Sequence, residues 1–144
     1  MKSKLRCHVT RLMASGFAVV SSFLLVPASF SQIPQLINYQ GRVVVNGANF
    51  AGGGQFRFAL VNAAGTATYW SNDGTSVSGS QPASAVPITV TNGLYSVLLG
   101  DNALANMTAI PQSVFNNSDV RLRVWFNDGT NGVQQLTQIG RAHV

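Results

Sequence analysis

Apolar and polar residues alternate strand-fashion through most of the chain, broken at short intervals by turn signals. In Gln55–Val61 (QFRFALV), Phe56, Phe58 and Leu60 fall on one face and Arg57 and Ala59 on the other. In Val120–Phe126 (VRLRVWF), Val120, Leu122, Val124 and Phe126 point one way, and Arg121, Arg123 and Trp125 the other. A period of two is what a half-buried strand imposes, because successive side chains leave opposite faces of the sheet. Leu36–Val45, Thr66–Trp70, Val86–Thr91, Leu94–Leu99 and Val133–Thr137 complete the predicted strands. Asn46-Gly47, Asn62–Gly65, Asn72-Asp73-Gly74 and Asn92-Gly93 separate them. Asn-Gly between two apolar runs predicts a hairpin, since both central residues of its tight turn need positive φ. Ser76–Ala85 (SVSGSQPASA) reads as a loop, and a helical turn is expected over Ala103–Ile110, ahead of Pro111. One echo is visible: Trp70–Thr75 reads WSNDGT and Trp125–Thr130 reads WFNDGT, each closing a strand. The expectation is an all-β chain with a single antiparallel β-sandwich-like domain, its core built from Phe56, Phe58, Leu60, Leu94, Leu98, Leu122, Val124 and Phe126.

The first residues break this pattern. Met1–Ser15 is basic, Gly16–Val26 (GFAVVSSFLLV) is apolar, and small residues follow at Ser29 and Ser31. That order predicts a secretory signal peptide over residues 1–31, with cleavage after Ser31. The apolar run is shorter than the ~20 residues a spanning helix needs, so no stable membrane insertion is expected after cleavage. The single cysteine, Cys7, precedes the apolar run, so the domain over residues 32–137 has no thiol for a disulfide or a lipid. The expected location is secreted or at the cell surface.

Charge changes the picture once it is placed along the chain. The formal net charge of +5 comes from the two ends. Between Gln32 and Thr137 the bases are Arg42, Arg57, Arg121 and Arg123, and the acids are Asp73, Asp101, Asp119 and Asp128. A balanced domain lacks the basic patch that nucleic acid requires, so nucleic acid is not an expected partner.

The end of the chain also departs from what precedes it. Ile139–Val144 (IGRAHV) is what ATC GGA AGA GCA CAC GTC encodes, a string resembling a common sequencing-library adapter, with Gln138 completing the junction. Residues 138–144 are therefore read as an artificial tail rather than a natural basic one. The native sequence is expected to continue beyond Thr137, leaving the last strand cut short.

Taken in order, NYQGRV (Asn38–Val43), FRFAL, YWSNDGT, VTNGLYSVLLGD (Val90–Asp101) and VRLRVWFNDGTNGVQQLT (Val120–Thr137) resemble an N-terminal β domain of many bacterial secreted and surface proteins. Those domains open with an NYQGRL-type strand after the signal peptide and carry an NGLFSV-L-LG hairpin. They close on an L-TPRQRI…PYA-type segment, which is absent here after Leu136-Thr137. The resemblance implies downstream repeat, collagen-like or tail-fibre-like regions as partners in the same chain. It implies no catalytic residues.

Candidate chemistry is sparse. His8 and His143 lie outside the domain, which therefore has no His, Cys, Glu or Lys. General acid–base and nucleophilic mechanisms draw mainly on those side chains, so no catalytic residue, metal ligand or cofactor is assigned and no enzyme activity is expected. The Asn-Asp-Gly stretches at Asn72–Gly74 and Asn127–Gly132 offer one carboxylate each, too few for calcium. The remaining lead is aromatic. Trp125, which shares its strand face with Arg121 and Arg123, would form a ligand-binding surface with Trp70 and Tyr95 if the rings were exposed in one plane. The alternative is that a two-layer sheet buries them, or that Trp125 stacks under the arginine stems. Two functions remain open: a structural module of a larger secreted or fibre-like protein, or an adhesion module binding glycan or another surface protein.

Overall fold

The computed structural model describes residues 35–136, and the predicted signal peptide and tail lie outside that range. Its strands are β1 (Ile37–Arg42), β2 (Val44–Val45), β3 (Ala48–Asn49), β4 (Gly52–Val61), β5 (Thr68–Ser71), β6 (Val86–Val90), β7 (Leu94–Leu99), β8 (Arg121–Asn127) and β9 (Val133–Gln135). The only helical element among the described residues is a 3₁₀ turn at Gln112–Asn116. All strand pairs are antiparallel, so the chain is all-β as its alternation requires.

The long strand β4 organises the main sheet. Its whole second half, Gln55–Val61, pairs with β8, which in turn carries β9. The opposite edge of β4 is shared: β6 pairs with Gly52–Phe56 and β5 with Ala59–Val61. β5 and β6 thus lie end to end along one edge, and residues 73–85 leave the sheet between them. In the second layer β1 pairs with β7, and β2 with β3.

The core lies between the layers. Phe56, Phe58, Leu60, Leu122, Val124 and Phe126 enter from the main sheet, and Tyr95, Val97 and Leu99 from β7. The Phe56 ring centroid is 4.3 Å from that of Tyr95 and 4.9 Å from that of Phe126, so an aromatic cluster joins the layers. Each large side chain buried here contributes about 1.5–3 kcal/mol. Connecting segments cap the ends of this core with Val43, Met107, Ile110 and Val114.

Four sequence expectations need correction. Leu94 is 63 % exposed and Leu98 only half-buried, and the core face of β7 is Tyr95, Val97 and Leu99. The segment LYSVLL is apolar on both faces, so alternation alone does not choose between them; the partner strand does. Gly41 stands opposite Tyr95, and a Cβ on Gly41 would collide with the Tyr95 ring and hydroxyl. The tyrosine ring fills the space that glycine leaves, which turns the odd-numbered residues of β7 inward. Second, Asn92-Gly93 forms the predicted turn, with φ of 50° and 83°, but the strands it joins share only the Thr91–Leu94 bridge. β6 then follows β4, β7 follows β1, and the turn links the two layers rather than two neighbours in one sheet. Third, Ala103–Ile110 forms turns and no helix; the 3₁₀ turn follows Pro111 instead. Fourth, the first strand breaks at Val43, whose N–H donates to Gly93 O at 2.7 Å.

Candidate functional site

The residues singled out from the sequence occupy two different faces. Trp125 pairs with Arg57 across β8 and β4, Arg123 with Ala59, and Arg121 with Val61, so all share the face of the main sheet that points away from the core. Trp70 pairs with Leu60 and shares its core face. Its indole Nε1 donates to Thr108 O at 3.3 Å. The two tryptophans therefore lie on opposite sides of one sheet, each only 6 % exposed, and Tyr95 is buried with Trp70. The aromatic platform that the sequence left open is absent.

Segment 73–85 folds back to the outer face, where its Gly79 and Ala83 carbonyls meet Arg123 and Arg57. Ala59, Val61 and Trp125 form a small buried cluster on that face. Arg123 holds the cover in place: its Nη1 donates to Gly79 O at 2.6 Å and to Gly65 O at 3.4 Å. A guanidinium donating to backbone carbonyls makes hydrogen bonds roughly twice as strong as neutral ones. Two glycines make the approach possible. Both have positive φ, and a Cβ on Gly65 or Gly79 would collide with the guanidinium or with the facing loop. Arg123 also lies over the Trp125 ring, 6.0 Å from its centroid. Arg57 reaches the same segment through Nε and Nη2, both 3.5 Å from Ala83 O, while its buried Nη1 has no partner among the described residues. Arg121 stands outside this arrangement, exposed and 3.4 Å from Asp119.

The base of the segment is tied as firmly as its middle. Asn72, fully buried, accepts from Phe58 N at 2.9 Å and donates to Ser84 O and Asn106 O at 2.9 and 3.0 Å. Asp73 accepts from Thr75 N, Thr75 Oγ1 and Ser84 N. Burial pushes the Asp73 carboxyl up, but these hydrogen bonds outweigh it and hold the group below the ordinary value of 3.8. Ser76 Oγ donates to Ser80 O, and Gly79 N donates to Thr68 Oγ1. A Ser/Gly/Pro-rich run with no apolar pattern thus becomes an ordered cover. Its only sequence signals are the residues that need positive φ and the arginines waiting on the sheet beneath.

The remaining carboxylates are also committed to loops. Asp128 accepts from Thr130 N, Asn131 N and Asn131 Nδ2, which lowers its pKa. Asp101 accepts from Ala103 N, and Asp119 from Ala63 N. Among the described residues no three of His, Cys, Asp and Glu come together as a metal site needs. A cleft of about 140 Å³ opens between β2 and the β8–β9 connection, lined by Val44, Asn46, Phe126, Asp128, Gln134 and Leu136 among others.

The sequence model of a domain of unknown function, DUF8740, matches residues 38–139. The chain belongs to this family. No curated protein and no solved structure matches it. The DUF8740 match begins at Asn38, the first residue of NYQGR, and runs through the whole described sheet. Within the matched range, Asn38–Arg42 of β1 and Leu94–Leu98 of β7 are cross-strand partners, with Gly41 opposite Tyr95.

Proposed function

We propose that this DUF8740 domain is a non-catalytic structural module, the N-terminal part of a larger secreted or cell-surface chain. The observation that carries the reading is the covered outer face of the main sheet. The side chains that would otherwise make a binding surface are engaged within the chain: Arg123 and Arg57 donate to carbonyls of segment 73–85, and Trp125 is buried in a cluster with Ala59 and Val61. The carboxylates likewise spend their acceptor capacity on loop amides. Charged groups arranged to hold loops in one conformation suit a spacer or head domain without disulfides, whose stability must come from packing and hydrogen bonds. The apolar run ending in small residues at Ser29 and Ser31 supports export.

The test is expression of the chain from Met1 in a secreting host. The expected product is recovered outside the cytoplasm with Gln32 first, and its tryptophan fluorescence shows no saturable change with a panel of neutral and acidic oligosaccharides. Retention of residues 1–26 in the membrane would overturn export. A saturable change with one sugar would overturn the structural role.

A further inference from the structure

The chain holds three Asn-Gly pairs, Asn46-Gly47, Asn92-Gly93 and Asn131-Gly132. In such a pair the Gly nitrogen can attack the Asn side-chain carbonyl carbon. Ammonia leaves, a cyclic imide forms, and water opens the imide to aspartate or to its β-linked isomer. Glycine favours this because it puts no side chain in the way and lets the backbone rotate. The three pairs share the sequence and differ only in their surroundings.

At Asn92-Gly93 the attacking nitrogen is occupied. Gly93 N donates to Phe50 O at 2.7 Å, Gly93 O accepts from Val43 N at 2.7 Å, and the residue is buried. Both bonds must break before the nitrogen can turn toward Asn92. At Asn131-Gly132 the side chain is occupied: Asn131 Nδ2 donates to Asp128 Oδ2, and Asn131 N to Asp128 Oδ1. Asn46-Gly47 has neither restraint. Both residues are exposed, Asn46 makes no side-chain hydrogen bond among the described residues, and no heavy atom beyond Gly47 and its two chain neighbours lies within 4 Å of the Cβ position at Gly47. The turn, with φ of 52° and 79°, is closed by a ladder of two residue pairs, Val44–Asn49 and Val45–Ala48. So short a ribbon opens easily.

From this contrast we infer that Asn46 is a site of spontaneous modification, converted to aspartate or isoaspartate while Asn92 and Asn131 are protected by the fold. Conversion puts a second carboxylate on the cleft that Asp128 lines, and the β-linked product adds a backbone carbon to the β2–β3 turn.

The experiment is ageing of the purified protein in mildly alkaline buffer, folded and in denaturant, followed by peptide mass analysis of all three sites. In the folded protein Asn46 should convert on the order of tenfold faster than Asn92 or Asn131, because their hydrogen bonds must break first. In denaturant the three rates should converge. Equal rates at the three sites in the folded protein, or conversion of Asn46 only after denaturation, would overturn the proposal.

Discussion

Asn72 extends the ladder of β4 with its own side chain: Phe58 N donates to Asn72 Oδ1 at 2.9 Å, and Asn72 N donates to Phe58 O at 3.0 Å. The pair sits where β5 has ended and β6 has not begun. A backbone strand would supply both bonds in the ordinary way, but here the chain leaves for the outer face immediately afterwards. The amide oxygen fills the gap, and the amide nitrogen ties Ser84 and Asn106 to the same point.

Asn72→Ala should therefore destabilise the domain by about 2–4 kcal/mol, because it strips a buried N–H and two carbonyls of their partner at once. Asn127, its counterpart in the WFNDGT echo, accepts from Gly129 N alone and is only half-buried. Asn127→Ala should cost roughly 1 kcal/mol or less. Urea unfolding of the two variants checks the difference. Equal losses would mean that the two copies of the motif do the same work.

The pairing of Gly41 with Tyr95 predicts a strong coupling. Gly41→Ala should cost roughly 1–3 kcal/mol by forcing the ring off its seat. In a Tyr95→Leu background the same change should cost much less, since the obstructing ring is gone. A double-mutant cycle measures this; additive losses would show that the two residues act independently.

On β7 the inward face should be energetically distinct from the outward one. Leu99→Ala should cost about 2–5 kcal/mol and Leu94→Ser within about 0.5 kcal/mol of nothing. Thermal or urea unfolding distinguishes them, and a large loss at Leu94 would place that residue in the core.

Acid should act on the cover segment through Asp73. Its folded-state pKa lies below the ordinary 3.8, so its contribution is fully present above that value and is lost as pH falls through the lower, folded-state one. Asp73→Asn should flatten this acid limb of the stability curve. Identical slopes below pH 3.8 in the native protein and the variant would remove Asp73 from the account.

Much of the main sheet is legible in the sequence because β4 and β8 obey a strict period of two: Phe56, Phe58 and Leu60 face Leu122, Val124 and Phe126 as the alternation requires. β7 is not legible in this way, because Leu94 and Leu98 compete with Tyr95, Val97 and Leu99. The choice rests on Gly41, far away in sequence. The candidate site depends even more on distant contacts. Arg123 and Trp125 are correctly placed together on the outer face, yet whether that face meets water depends on where residues 73–85 return. Nothing in SVSGSQPASA states this, since the segment is held by backbone carbonyls that arginines on β4 and β8 reach. Trp70 is separated from Trp125 for a simpler reason: its pairing with Leu60 places it on the core side.

Burial of Trp125 beneath segment 73–85 is the central claim, and fluorescence quenching tests it most directly. Acrylamide should quench the native protein poorly, since both tryptophans are enclosed. Arg123→Ala should release the segment and raise quenching, while the Trp125→Phe protein carrying the same Arg123→Ala change should show no such rise. Strong quenching of Trp125 in the native protein would mean that its face is open to solvent, and would contradict the account.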